Sequence, residues 1–422
     1  MARITILTVG SRGDIQPFCA IALGLIQKGH QVTLASSPNF ADFAAHWSIP
    51  FAPIAGDFKQ LLSSPTGLEL LEGNQRVKLI AEELLWQQLL DAWNACQGSE
   101  LIVFSPLALW GYHLAEALKI PAILATQIPM AATRTFPFLG FAERTDQWLP
   151  GLANLLSYHL VGFLGWRSNA KLINRFRQDV LHLPQLPWSG ARYRRNAPPF
   201  LSPLPIVNCY SAAAIAPPPD WGSAIQQAGY CFLDTANSFT PSPELQAFLD
   251  EEPKPFYVGF GSMIPRHPKQ LAETIVSALV ATGQRAVLCS GWGSVSTDLP
   301  PSVYLLEEAP HDWLFPKVTA AIHHGGSGTV AATLRAGIPS IVVPFFGDQP
   351  AWGKLLVQLG VCPATHLQSE LTSDRLVASI QTILEDSSFR EQSQQLQGQL
   401  QAEDGVARVV SIVESHLQSS IR

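Results

Sequence analysis

Charge is scarce in this chain of 422 residues: Asp, Glu, Lys and Arg make up 14%, against roughly 25% in an ordinary soluble domain. The 27 basic and 33 acidic side chains leave a formal net charge of -6. A nucleic-acid binder needs a dense basic face, so no nucleic-acid partner is expected. Long apolar runs are missing too, although 47% of the residues are hydrophobic and the mean hydropathy is +0.15. No stretch reaches the roughly 20 uninterrupted apolar residues that span a bilayer. The best, Leu152 to Trp166, is broken by Asn154, Ser157 and His159. The opening MARITILTVG lacks the separate basic region, longer apolar region and small-residue cleavage site of a signal peptide; a cytoplasmic protein is expected. Cysteine is sparse: Cys19, Cys96, Cys209, Cys231, Cys289 and Cys362 show neither zinc-site nor disulfide-framework spacing. They read as small buried hydrophobes.

What is present is a repeated local sentence. Ile4–Val9 reads as a buried strand, Gly10 to Gly13 as a loop, Pro17 to Lys28 as a helix, and Gly29 to Leu34 as a second strand. From Phe256 the order recurs, with the strand Phe256–Phe260, the turn Gly261-Ser262, a helix over Lys269–Ala281 and the strand Ala286–Cys289. Apolar strands alternating with helices predict an α/β fold whose parallel sheets are covered on both faces. Pro217, Pro218 and Pro219 cannot sit in a helix or a central strand. They set the expected division: residues 1–215 as one Rossmann-like domain, 216–404 as a second, and 405–422 as a C-terminal helix. That helix carries Val406, Val409, Val410, Val413 and Leu417 at helical spacing, and it is expected to pack back on the N-terminal domain.

The chemistry-bearing stretch runs from Pro310 to Pro350. A strand ending at His323 meets His324-Gly325-Gly326-Ser327-Gly328-Thr329, and a helix follows until Gly337. Glycines at a strand-to-helix turn let backbone N–H groups approach an anion, and the helix start adds partial positive charge. The hydroxyls of Ser327 and Thr329 and the imidazole of His324 suit a diphosphate. The next strand delivers Asp348 and Gln349, whose carboxylate and amide suit vicinal sugar hydroxyls.

These segments resemble the GT-B glycosyltransferases, in particular the family-1 branch of UDP-glucose:sterol and antibiotic-aglycone glycosyltransferases. Gly10-Ser11-Arg12-Gly13-Asp14-Ile15-Gln16-Pro17 resembles the acceptor-side loop of that branch, and Gly259-Phe260-Gly261-Ser262-Met263 lies between the two ends in the right order. The resemblance implies two Rossmann-like domains facing a central cleft. It implies that His324, Gly326, Ser327, Gly328 and Thr329, with Ser262, bind the donor diphosphate, that Asp348 and Gln349 hold the transferred sugar, and that Asp14 is the general base. Glu308 and Ala332 replace the uracil-stacking Trp and ribose-binding Glu of plant relatives, which leaves Trp292 or the backbone at Ala309 for the nucleobase. Simpler alternatives stand beside these roles: Asp14 as a helix N-cap, Arg12 as a solvated loop residue rather than a diphosphate ligand, and Asp348 and Gln349 as the start of a helix.

The expected reaction is inverting transfer of a hexose from UDP-glucose, without metal or resident cofactor, to a lipophilic acceptor such as a sterol, hopanoid, carotenoid or polyketide. The apolar excess between about residues 60 and 200 favours such an acceptor, with Trp86, Trp93, Trp110, Phe136, Phe141 and Trp148 among its members. Leu152 to Trp166 with Arg167, Lys171, Arg175 and Arg177 reads either as a face touching membrane lipid or as a buried helix with a solvated basic edge. A nucleotide-sugar 2-epimerase and a non-catalytic nucleotide-sugar or lipid binder are the competing classes. A monomer suffices for each.

Overall fold

The computed structural model describes residues 1–57, 60–61, 64, 67, 80–143, 148–190, 203–261, 263, 267–289 and 299–420. Short aliphatic runs bounded by Gly, Pro or Ser become the strands of two sheets, and every strand pairing within them is parallel. The first sheet holds β1 (Arg3–Leu7), β2 (Gln31–Ser36), β3 (Phe51–Pro53), β4 (Leu101–Phe104), β5 (Ala122–Thr126), β6 (Ile206–Asn208) and β7 (Ile225–Gln227) in the order β3-β2-β1-β4-β5-β6-β7. The second holds β8 (Phe256–Gly259), β9 (Ala286–Cys289), β10 (Val303–Leu306), β11 (Ala321–His323) and β12 (Ser340–Val342) in the order β10-β9-β8-β11-β12. Each sheet reverses its winding beside its first strand, at β1/β4 and at β8/β11. At such a switch point the loops leaving the strand ends part and make room for a ligand.

In the first unit, alternation splits the strands between two cores. Ile4, Ile6, Val32, Leu34, Leu101 and Val103 pack with the helix Arg12–Gln27, while Leu7, Ala35, Ile102, Phe104 and Leu124 pack with Leu85, Leu89 and Leu114 on the other side. The helix Gly405–Ser420 completes the first of these cores through Val409, Val410, Ile412 and Val413. Each such buried side chain contributes roughly 1.5–3 kcal/mol. The approach is close at Gly24, where a Cβ would lie 2.6 Å from Val406 Cγ1. β7 pairs with β6, and this unit comprises Met1–Leu61, Lys78–Leu233 and Glu403–Arg422. The three prolines therefore interrupt a loop inside the unit, and the chain leaves it after Leu233 instead of near 215. The second unit is built on Asp234–Ala402.

Two local readings need correction. The first helix begins at Arg12 rather than Pro17, because Ser11 and Asp14 form a capping box that starts it earlier and leaves Pro17 inside. Arg177 does not extend a basic edge. At the end of the 32-residue helix Trp148–Asp179 it is fully buried, its Nη1 2.7 Å from Glu116 Oε2 and its Nε donating to the Pro184 carbonyl at 3.0 Å.

Candidate functional site

In the second unit the turn after β11 is shaped by two glycines with different physical needs. Gly325 has φ +86°, a left-handed conformation, and a Cβ there would meet Val342 Cγ1 at 2.8 Å. Gly326 has an ordinary φ of -63°; a Cβ there would run into His324 Nε2 and push the ring aside. On the neighbouring strand's turn, a Cβ on Gly261 would sit 3.3 Å from His324 Cε1. The imidazole of His324 is thus seated between two residues that lack side chains.

Gly326 is also the N-cap of the helix Ser327–Ala336, and it has no side chain with which to cap it. The backbone N–H groups of Ser327, Gly328 and Thr329 open this helix without intrahelical acceptors. Together they present a helix start suited to an anion, with two hydroxyl-bearing residues on it.

The layer beneath is a set of histidines. Gly325 N–H donates to His323 Nδ1 at 3.0 Å, which fixes the remaining ring proton of His323 on Nε2. Burial, then the nearby His324 and His311, holds His323 well below its usual value of 6.5. Burial and His311 push His324 down to about 4. His311 stacks on Phe315 at 4.3 Å and lies 3.2 Å from the Tyr257 hydroxyl. At neutral pH His324 is an uncharged hydrogen-bond donor. His323, being buried and turned into the strand end, supports the turn.

Asp348 and Gln349 part company. Asp348 is the N-cap of the helix Gln349–Gln358, and its Oδ2 accepts from Trp352 Nε1 at 2.8 Å. Gln349 is buried; its Oε1 accepts the Phe345 N–H at 2.8 Å, and its Nε2 lies 3.4 Å from Met263 Sδ. The amide oxygen is used within its own turn, and the nitrogen reaches Met263, 86 residues earlier. It shapes the loop that presents Asp348, a role the sequence reading missed. Both residues do open a helix, as the simpler alternative had it. Asp312, in the first turn of the short helix His311–Leu314, accepts the N–H groups of Thr235 and Ala236 at 2.6 and 2.7 Å and so pins the segment entering this unit. Ala309 follows β10 and joins the margin of the core. Ser262 and Trp292 lie outside the described residues.

In the first unit the loop after β1 holds Asp14 against its own helix cap. Oδ2 accepts the Ser11 N–H at 2.8 Å and the Ser11 hydroxyl at 2.9 Å. Oδ1 has no hydrogen-bond partner among the described residues. Burial raises the carboxyl above its usual 3.8 against the pull of both Ser11 bonds. Ser11, not Asp14, is therefore the N-cap; Asp14 is the third residue of the helix and completes the capping box, with its second oxygen unpartnered among the described residues. Arg12 lies over the Phe43 ring at 5.3 Å, inside its own unit.

Comparison with known proteins identifies the family and the fold. Residues 4–137 match the glycosyltransferase family 28 N-terminal domain, and residues 275–415 match the erythromycin biosynthesis protein CIII-like C-terminal domain. Sterol 3-beta-glucosyltransferase UGT80B1 of Arabidopsis thaliana is 34% identical over 98% of this chain and 68% of its own length. The sterol 3-beta-glucosyltransferase of Candida albicans is 34% identical over 99% of this chain but only 28% of its own length. The chain thus spans about two thirds of the plant relative and under a third of the fungal one. Among solved structures, the glycotransferase of kitacinnamycin superposes with a TM-score of 0.69 at 19% identity, covering 99% of each chain.

Proposed function

The chain belongs to the family of the sterol 3-beta-glucosyltransferases, and from that premise we propose that it is an inverting hexosyltransferase moving glucose from UDP-glucose to the hydroxyl of a sterol or a similarly apolar alcohol. The observation that carries the reading is the uncapped helix start at Ser327 with the neutral ring of His324 seated between Gly261 and Gly326.

An alcohol is a poor nucleophile at neutral pH, so attack on the sugar carbon needs its proton removed as the new bond forms. Asp14 Oδ1 takes that proton, a step typically worth about 10²–10⁴-fold. The diphosphate leaves from the opposite face of the sugar, and its growing charge is met by the N–H groups of residues 327–329, the hydroxyls of Ser327 and Thr329, and His324. Fixed dipoles of this kind do the work of a metal ion, so transfer proceeds without one. Asp348 holds sugar hydroxyls and Gln349 keeps its turn in place. One displacement inverts the anomeric carbon and gives a β-glycoside from an α-linked donor.

The six free thiols fit a reducing compartment, so the reaction is assigned to the cytoplasm, with peripheral contact to the membrane in which an apolar alcohol resides. A single chain carries both the base and the donor turn, so a monomer suffices. The test is UDP release in a matrix of nucleotide sugars against sterols, hopanoids and polyketides, with and without EDTA. Sterol-dependent release from UDP-glucose, unaffected by EDTA, is expected. Release or sugar isomerisation without any acceptor would overturn the assignment in favour of a hydrolase or epimerase.

A further inference from the structure

The helix Trp148–Asp179 is amphipathic the wrong way round for a part of a core. A surface helix ordinarily turns its apolar stripe inward. Here Leu149, Leu156, Leu160 and Leu164 are 70%, 64%, 58% and 56% exposed, while Asn154, Tyr158 and Phe176 are buried. At 3.6 residues per turn the four leucines fall within a sector of about 80°, and the same sector continues through Arg167 and Lys171. Both of these are exposed. No Asp or Glu occurs from residue 148 to residue 178. Trp148 and Trp188 stand out at the margin, 67% and 71% exposed, and Trp188 meets Phe163 edge to face at 5.5 Å.

We propose that this face docks on the surface of an anionic lipid bilayer. An apolar stripe of this width suits insertion about 5–10 Å into the boundary between headgroups and acyl chains. The basic continuation of the same stripe meets lipid phosphate, and exposed Trp side chains are suited to the interface. Charge argues against a second copy of the chain as occupant, since two such faces would set Arg167 and Lys171 against each other or against leucines. Among the described residues no helix is long and apolar enough to cross a membrane, so the helix lies on the bilayer. The purpose of docking, access to an acceptor dissolved in lipid, rests on the transferase reading; the docking itself does not.

Co-sedimentation with vesicles, in the absence of any substrate, tests it. The full chain should sediment with vesicles of phosphatidylcholine and phosphatidylglycerol in equal parts, more weakly with phosphatidylcholine alone, and its Trp emission should shift to the blue. Combined Leu156→Ser, Leu160→Ser and Leu164→Ser should lower partitioning at least tenfold on both vesicles. Arg167→Ala with Lys171→Ala should remove only the preference for the anionic ones. Each variant should keep transfer to a detergent-dispersed acceptor, so loss of docking and loss of catalysis are read separately. Failure to sediment at low salt, or unchanged sedimentation in the serine variant, overturns the proposal. So does a dimer in sedimentation velocity that the serine variant abolishes while vesicle binding is absent.

Discussion

The carboxylate of Asp14 holds the residue that precedes its own helix, with Oδ2 2.8 Å from the Ser11 nitrogen and 2.9 Å from the Ser11 hydroxyl oxygen. One oxygen is committed to starting the helix and the other has no hydrogen-bond partner among the described residues. The capping box fixes the carboxyl in one orientation and burial raises its proton affinity, and both suit the general-base role proposed for it.

Asp14→Asn keeps an acceptor for the Ser11 N–H and should fold normally. Turnover is expected to fall about 10²–10⁴-fold while calorimetric UDP binding stays within twofold. Near-normal turnover in this variant would sink the base assignment. The ionised form is the active one, so kcat/KM of the native enzyme should rise with pH through an acid limb displaced above 3.8, a limb absent from the residual activity of the variant. Asp14→Ala should in addition cost about 0.5–2 kcal/mol of stability through the lost cap.

The two glycines of the turn after β11, to which donor binding is proposed, should respond differently. Gly326→Ala has an allowed backbone but displaces the His324 ring, so UDP affinity should fall roughly tenfold, about 1.4 kcal/mol, with little change in melting temperature. Gly325→Ala meets both a positive φ and Val342 and should destabilise the fold by at least about 1–2 kcal/mol. Calorimetry and thermal melts on the pair separate the two effects.

His324 titrates near 6.5 in an unfolded chain and at about 4 here, with His323 displaced in the same direction. Below pH 6.5 the unfolded chain takes up protons that the folded protein refuses. The stability these neutral rings contribute is complete above pH 6.5 and is lost as pH falls toward 4. His324→Gln should flatten that part of a melting-temperature series, and an identical acid profile in the variant would refute the mechanism.

Arg177 and Glu116 form a buried pair, 0% and 3% exposed at their side chains. Removing one partner leaves an uncompensated buried charge, so Arg177→Met should cost about 3–5 kcal/mol in urea unfolding. Arg177→Met combined with Glu116→Leu should recover most of it. A double variant as unstable as the single would show that the cost comes from lost packing and not from the stranded carboxylate.

Much of the frame is readable along the chain because it is local. The strands at Ile4 and Phe256 announce themselves by apolar runs ended by glycine, and the helix after Gly326 by its closing Gly337. The errors arise where one residue serves two constraints. Pro17 suggested a helix start, but the Ser11–Asp14 box reaches back one turn. Arg177 looked like the last member of a basic edge until Glu116, 61 residues earlier, was brought against it.

The sequence by itself determined the α/β class, the two strand–turn–helix units and the residue types of the donor turn, because these depend on periodicity and on neighbours a few positions away. Only the tertiary structure decided which side of the helix Trp148–Asp179 meets solvent, that a side chain at Gly326 would displace the ring of His324, and that one oxygen of Asp14 has no partner among the described residues. Each of these depends on which distant groups arrive at the same place, and burial and hydrogen-bond partners exist only after the chain has closed.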